Sequence, residues 1–335
     1  MAKNIQWYGW KRDNPDIRDF KYFAPRELVE ELPSKVDLTS QCPPVFNQGA
    51  LGSCVANAIG SAHQFEQKKQ DETKDFTPSR LFTYYNAREM EGTVDSDSGA
   101  EIRDGIKSVV KQGVCHESQW GYNIPNFRTK PADACYTDAL NHQVLSYWSI
   151  TQTLEQMKGC LAAGHPFVFG FAVYDGFESD AVAKTGEMQM PKIGEGIVGG
   201  HAVMAVGYDD ATQRFIVRNS WGEDWGINGN FTMPYEYIIN SSLAADFWTI
   251  RTVEVPDQPC PTPTPTPTPT PAPHFPCDMS LMFPATKAFV DGIVKSQSLR
   301  QRSKEQSELA DMLGAGFKEL QEYLQRVEAV RNRQK

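Results

Sequence analysis

The sequence of 335 residues lacks several features that would assign it to other classes of protein. No apolar run reaches the length that a membrane-spanning helix needs, so we expect no membrane span. The N-terminus lacks the apolar stretch and the small-residue cleavage site of a Sec signal peptide. This absence predicts either a cytoplasmic protein or one exported by a non-Sec route, and the compartment stays open.

Basic residues are outnumbered by acidic ones. The chain has 33 Lys and Arg against 42 Asp and Glu, a formal net charge of −9. Binding to nucleic acid needs a basic face for the phosphates, so we expect no nucleic-acid partner. The seven cysteines include no C-x-x-C pair, which predicts no zinc site, and the sequence implies no other metal or cofactor.

Composition divides the chain into four parts. Residues 1–31 are aromatic and charged without a regular period, which predicts an extended segment lying on other parts of the molecule. Residues 32–255 have the composition of one globular domain. Residues 256–278 contain PTPTPTPTPTP, which predicts a stiff polyproline II linker. Residues 279–335 carry a heptad-like apolar stripe, which predicts a helix that docks onto the domain, self-associates or recognises a partner.

Periodicity within the globular domain changes from helical to strand-like along the chain. Apolar spacing predicts helices over 55–69, 78–88, 99–112 and 154–163. β-branched and aromatic runs then predict strands over 167–174, 201–208, 215–219, 230–233 and 247–255. Helices followed by strands predict an α+β protein with segregated layers.

Cys54 differs from the other cysteines because it begins a predicted helix, directly after a glycine-containing loop at residues 47–53. Unpaired N–H groups and the helix dipole at such a position stabilise a thiolate, which predicts a lowered thiol pKa. A nearby imidazole can then complete an ion pair with the sulfur. Cys54 is therefore the candidate nucleophile.

His201 and Asn219 lie on neighbouring predicted strands that flank a turn centred on Asp210. A symmetric hairpin about that turn would place the two residues opposite each other, close enough for their side chains to interact. A neutral amide can fix the tautomer of an imidazole without competing for its proton. The pair is therefore a candidate base with its orienting group.

The order Gln48, Cys54, Gly-His201-Ala and Asn219-Ser-Trp221-Gly resembles the papain-like cysteine peptidases, in a bacterial type with a short N-terminal extension. The resemblance covers residues 32–255. It implies an α+β fold of two lobes, one helical and one β-barrel-like, with the active-site cleft between them. It also implies a cysteine endopeptidase that hydrolyses protein or peptide substrates and needs no cofactor.

The resemblance implies a role for each matching position. Cys54 is expected to form an acyl-enzyme, His201 to act as acid and base, and Asn219 to orient His201. The side-chain amide of Gln48 and the N–H of Cys54 are expected to form the oxyanion hole, and Trp221 to shield the site. The expected substrate-binding residues are Ser98, Gly99, Gly200 and Ala202.

Two positions beside the nucleophile depart from the family pattern, since Leu51 and Val55 stand where a cysteine and a tryptophan are usual. Neither carries a catalytic role, so we expect an active enzyme. Two alternatives stay open: an acyl-transferase or peptide ligase with the same nucleophile, and an inactive peptidase-like binding module. Residues 1–31 fit an autoinhibitory segment and a permanent strap on the barrel surface about equally well.

The remaining candidates have weaker signals. Ala202 and residues 243–246 are expected to border the specificity pocket, with an apolar preference. The remaining histidines, at positions 63, 116, 142, 165 and 274, are expected to be structural or surface residues. The cysteines at 42, 115, 135 and 160 are expected to be packed thiols or disulfide members, and those at 260 and 277 are equally compatible with a disulfide and with free thiols.

Overall fold

The structure of the protein is a computed structural model that describes residues 8–254. The predicted linker at 256–278 and the predicted helical segment at 279–335 lie outside the described residues, so both stay predictions. No helix within residues 8–254 combines the length and the apolar character that crossing a membrane would require.

Helices of the described residues vary from one turn to almost five. They are α1 (Arg26–Glu30), α2 (Cys54–Gln70), α3 (Arg80–Met90), α4 (Ile102–Lys111), α5 (Asp133–Ala139), α6 (Leu154–Ala162), α7 (Asp180–Thr185) and α8 (Tyr235–Ile239). The strands are β1 (Trp10–Lys11), β2 (Lys21–Tyr22), β3 (Lys35–Asp37), β4 (Ala100–Glu101), β5 (Val144–Ile150), β6 (Phe167–Tyr174), β7 (Ile197–Asp209), β8 (Arg214–Arg218), β9 (Asn230–Pro234) and β10 (Ala244–Val253).

Eight of these strands form one sheet in the order β2-β5-β10-β6-β7-β8-β9, with β3 paired to the far end of β7. All of its pairs are antiparallel except β2 with β5. The long strand β7 therefore contacts three neighbours, and its inner residues are fully buried. The strands β1 and β4 form a separate parallel pair.

Helix α2 lies at the boundary between a helical lobe and the sheet lobe. One side of it packs on α3 and α4, and the other packs on β7 and β10. Its residues 54–67 are all buried, and small side chains such as Ala56, Ala58 and Gly60 allow close approach from several directions. The fold is therefore the α+β, two-lobed arrangement, and the first residue of α2 lies between the lobes.

The predicted elements are confirmed with shifts at their ends, and three details of the prediction were wrong. Residues 100–101 form strand β4, so α4 begins at Ile102 rather than at Gly99. Strand β5 was missed because its burial pattern, with a half-exposed middle, has no clean alternation. Since β3 and β5 precede later helices, the strict order of helices before strands does not hold.

The register predicted for the hairpin of β7 and β8 was also wrong. Tyr208 pairs with Phe215, and after a bulge between Ala205 and Gly207, Met204 pairs with Arg218. Continuing this register places Asn219 opposite Val203, not opposite His201. The two catalytic candidates are therefore diagonal neighbours on one face, because side chains two residues apart on a strand point the same way.

Candidate active site

The candidate nucleophile lies where α2 begins, and its side chain is fully buried. The backbone N–H groups of Ala202 and Gly9 lie near its sulfur, where they favour the thiolate. Ala202 directly follows His201 in β7, so the thiol lies next to the histidine strand. The structure thus brings Cys54 and His201 together between the lobes.

Burial raises the pKa of the Cys54 thiol to about 11, and the surrounding backbone N–H groups only partly oppose this. The predicted lowering of the thiol pKa was therefore wrong for this state of the protein. The reason lies in Gly9, which covers the sulfur and excludes water that would solvate a thiolate. The N–H groups that favour a thiolate are nevertheless present at the start of α2.

His201 is held from two sides. Its Nε2 lies 2.8 Å from Oδ1 of Asn219, which also accepts the backbone N–H of Ser220 at 2.8 Å. The Trp221 ring stacks on the imidazole with centroids 5.0 Å apart, and Trp225 meets Trp221 edge-on. Both His201 and Asn219 are almost wholly buried. The predicted orienting and shielding residues therefore contact the histidine.

Gln48 is buried beside the nucleophile, and hydrogen bonds fix the direction of its amide. Its Nε2 donates to the Leu51 carbonyl oxygen at 3.0 Å, and its Oε1 accepts the Ser220 hydroxyl at 2.7 Å. A side-chain amide has two donor hydrogens, so one remains beyond the bond to Leu51. Ser220 thus joins the group that orients His201 to the group expected to bind an oxyanion.

The predicted substrate-binding residues are covered by the chain's own N-terminal segment. The carbonyl oxygen of Gly9 accepts the Ala100 N–H at 2.8 Å. Strand β1 pairs in parallel with β4, the strand that directly follows Ser98 and Gly99. A Cβ atom at Gly9 would lie 1.7 Å from the carbonyl oxygen of Gly52, so only glycine fits this close approach. The segment therefore crosses the cleft next to Cys54.

Trp10 occupies the pocket beside the nucleophile. Its ring lies against Gly170 and Gly200, where added Cβ atoms would come within 1.9 and 2.7 Å of the indole. Ala202 pairs with Gly170 at the same place in the sheet. The indole N–H donates to Asp246 Oδ2 at 3.0 Å. The space above Gly200 therefore holds a large ring with the Asp246 carboxylate at its end, and the expected substrate-binding role of Gly200 and Ala202 stays a prediction.

Asp246 has a backbone conformation that non-glycine residues adopt rarely, with φ of 61°. It lies where the pairing of β10 with β6 breaks between Ala245 and Trp248. Such irregularities in strands redirect side chains and concentrate near functional sites. The break turns the Asp246 carboxylate toward the pocket.

Further along the segment, Asp13 is buried and bonded to the sheet lobe. It accepts the Trp248 indole N–H at 2.9 Å and the Arg103 backbone N–H at 3.1 Å, and its own N–H donates to Asp246 at 2.8 Å. Burial, and then the nearby Asp246 charge, raise the pKa of Asp13 to about 7. Hydrogen bonds therefore also hold the segment at Asp13, beyond the residues that cover the cysteine.

The other cysteines of the described residues, Cys42, Cys115, Cys135 and Cys160, are free thiols like Cys54. Each is buried or half-buried, as packed thiols are. The cysteines at 260 and 277 lie outside the described residues, so their pairing stays open.

A family model described as the papain family of cysteine proteases matches residues 32–246. The chain belongs to the papain family of cysteine proteases. The family assignment carries the activity class, so the protein is a peptidase and a hydrolase. The match begins after residue 31, which leaves the segment that crosses the cleft outside the family model.

Relatives of this papain-family chain include viral and bacterial proteins. An uncharacterised peptidase C1-like protein of Acanthamoeba polyphaga mimivirus is 46% identical over 273 residues, which cover 74% of this chain and 88% of the viral protein. Xylellain, a cysteine protease from Xylella fastidiosa, has a crystal structure that matches with a TM-score of 0.70 and 44% identity, covering 75% of this chain and 98% of that chain. Procathepsin B from Trypanosoma congolense shares the fold, with a TM-score of 0.56 and 20% identity. The match covers 67% of this chain and 79% of that chain.

Two residues of this papain-family site were missed from the sequence. Ser220 stands inside the Asn219-Ser-Trp221-Gly run, so its position in the motif was a usable signal. Asp246 was included only within a stretch expected to border the pocket. No local pattern identifies it, because its direction depends on the break in β10.

Proposed function

We propose that the protein is a cysteine endopeptidase that cleaves peptide bonds through an acyl-enzyme on Cys54. The observation that carries the proposal is the contact between His201 Nε2 and Asn219 Oδ1 at 2.8 Å. The next residue, Ala202, has a backbone N–H near the Cys54 sulfur that favours its thiolate. Nucleophile, base and orienting amide thereby meet at the boundary of the two lobes.

The proposed mechanism gives each step to a named atom. Because Asn219 engages Nε2, the Nδ1 atom of His201 takes the proton from Cys54, and the thiolate attacks the substrate carbonyl. The remaining donor hydrogen of Gln48 and the Cys54 N–H stabilise the oxyanion. His201 then protonates the leaving amine, and water hydrolyses the thioester. No cofactor enters this scheme.

We further propose that residues 8–13 keep the enzyme latent by occupying its own cleft. Gly9 lies on the Cys54 sulfur, Trp10 fills the adjacent pocket, and β1 takes the edge of β4 that a substrate backbone would use. The raised pKa of Cys54 agrees with latency, since a protonated thiol is a poor nucleophile.

Trp10 also suggests which side chains the pocket accepts. A large ring fits above Gly170 and Gly200, and Asp246 takes a hydrogen-bond donor at the end of the pocket. A buried carboxylate without a donor is costly, so an apolar side chain of equal size would bind less well. We propose substrates with a tryptophan or a long basic side chain at this position.

A thiol-reactive epoxide inhibitor tests the proposal. We expect stoichiometric labelling at Cys54, no labelling of Cys54→Ala, and loss of labelling in His201→Ala. Gly9→Val should label at least roughly tenfold faster than the unaltered chain, because its side chain cannot fit against Gly52. A Gly9→Val protein that reacts no faster would contradict the latency proposal but not the proposed nucleophile.

The same Gly9→Val protein separates the alternatives when it is given a library of peptides. Hydrolysis of internal peptide bonds supports an endopeptidase, and transfer to an added peptide amine supports a ligase. An inactive binding module would leave Cys54 unlabelled and every peptide intact. Location in the cytoplasm, or outside the cell by a non-Sec route, stays a prediction.

A further inference from the structure

Two histidines and an aspartate form a cluster in the helical lobe, apart from the catalytic residues. His116 lies in the loop after α4, Asp138 in the last turn of α5, and His142 just beyond that helix. One nitrogen or oxygen atom from each of the three lies within 4.8 Å of the others. Two imidazoles and a carboxylate are a donor set that zinc binds in proteins.

No direct hydrogen bond joins the side chains of His142 and Asp138. His142 is 7% exposed, and its Nδ1 is buried without a hydrogen-bond partner among residues 8–254. Its Nε2 lies 4.0 Å from Asp138 Oδ1, too far for a hydrogen bond. The gap between Nε2 and Oδ1 is therefore one that a bridging ion, rather than a direct hydrogen bond, would fill.

Neighbouring groups hold the cluster in position. Phe76 stacks on His116 with ring centroids 3.9 Å apart and 12° between the planes. The His116 backbone N–H donates to Asp138 Oδ2 at 3.2 Å, which leaves Oδ1 facing His142. His63 Nε2 contacts the His142 carbonyl oxygen at 3.1 Å. Supporting contacts of this kind orient the ligands of metal sites.

We propose that His116, Asp138 and His142 bind a zinc ion, a site that the cysteine spacing of the sequence did not predict. Tetrahedral zinc keeps its ligand atoms about 3.4 Å apart, so side-chain shifts of about 1 Å would close the site. Three protein ligands leave a fourth position for water. A cavity of about 440 Å³ lined by Phe76, Thr77 and His116 can supply that water.

Zinc would join the loop after α4 to the end of α5, since its ligands come from both. Binding to the folded state alone raises thermal stability by mass action. This stabilising effect does not depend on the proposed peptidase mechanism. Its test needs no measurement of activity.

The experiment titrates zinc chloride into the full chain carrying Cys54→Ser, which removes the catalytic thiol as a competing ligand. We expect one zinc ion per chain by calorimetry and an increase in Tm. His116→Ala should weaken the affinity at least tenfold. Asp138→Asn, which keeps the size of the side chain, should do the same while the metal-free Tm stays within a few degrees.

His165→Ala is the matched control, because His165 contacts Glu66 in another histidine–acid pair, at 2.7 Å. It should leave the zinc affinity within twofold. With cobalt in place of zinc, the absorption spectrum should show the visible bands typical of nitrogen and oxygen ligands. No stoichiometric binding, equal affinity in His116→Ala, or a thiolate-to-cobalt charge-transfer band would each overturn the proposal.

Discussion

Asn219 and Gln48 come from distant parts of the chain, yet one serine contacts both. The Ser220 hydroxyl donates to Gln48 Oε1, and its backbone N–H donates to Asn219 Oδ1. An amide whose oxygen is held in this way must direct its nitrogen to the opposite side. Ser220 is therefore a positioning residue, acting through Gln48.

We predict that Ser220→Ala lowers kcat by roughly tenfold with little change in KM, because an unheld Gln48 amide stabilises the oxyanion less well. Gln48→Ala should lower kcat by roughly 100- to 1,000-fold. Steady-state kinetics in the Gly9→Val background measures both. If Ser220→Ala slowed the Gln48→Ala enzyme by a further tenfold, the two residues would act independently and the prediction would fail.

We expect Asp13 to couple the covering of the cleft to pH. Its pKa is about 7 in the covered state, against an ordinary value near 4, because burial and Asp246 disfavour its charge while Arg103 favours it. An acid whose pKa is raised in the covered state favours that state most strongly at pH values below its ordinary pKa. This contribution is lost as the pH rises through about 7.

We therefore predict that residues 8–13 are held less tightly at pH 8 than at pH 5, by roughly tenfold or more. Amide hydrogen exchange of these residues, corrected for the intrinsic pH dependence, measures the opening. Asp13→Asn resembles the protonated acid and should remove most of the dependence. An equal pH response in both proteins would assign it to other groups.

At the scale of elements, a buried ion pair connects the N-terminal segment to α4. Arg103 and Asp19 lie 2.6 Å apart with side chains 9% and 10% exposed, and the Arg103 guanidinium also donates to the Asn14 carbonyl oxygen. Removing one member of a buried pair leaves the other charge uncompensated. The pair of Asp16 with Arg18, at 2.7 Å, is more exposed.

We predict that Asp19→Ala lowers the free energy of unfolding by roughly 3 kcal/mol. Asp16→Ala, the matched control, should change it by less than about 0.5 kcal/mol. Urea unfolding of the two variants measures the difference. Similar losses in both would mean that Arg103 finds another partner once Asp19 is removed.

At the scale of the whole molecule, the N-terminal segment has two parts with different roles. Residues 8–13 lie in the cleft, whereas β2 is a strand of the main sheet beside β5 and buries Tyr22. Helix α1 then packs on α6. We therefore propose that the two interpretations of residues 1–31, an inhibitor and a permanent strap, apply to successive stretches.

Two truncations test this division. Removing residues 1–13 should increase activity and leave Tm within a few degrees, because residues 8–13 lie in the cleft and β2 is kept. Removing residues 1–31 should lower Tm by roughly 5–10 °C, since β2 is lost and Arg103 loses Asp19. Thermal unfolding and peptide hydrolysis measure the outcomes. Equal Tm values for both truncations would contradict a structural role for β2.

The local sequence was sufficient wherever one element carries the signal. The helix that begins at Cys54 follows from apolar periodicity, and strand β6 follows from its run of aromatic and β-branched residues. The motif residues Gln48, His201 and Asn219 were identifiable by type and order. The hairpin register was not, because the bulge near Val206 depends on packing with several strands.

The sequence by itself determined the family, the candidate nucleophile and the presence of an aromatic N-terminal segment, because these depend on residue types in order along the chain. Only the tertiary structure decided that Gly9 covers the thiol, that Asp246 ends the pocket, and that His116 meets Asp138 and His142. Each of these is a contact between distant segments, and such contacts are set by the packing of the whole fold rather than by any local pattern.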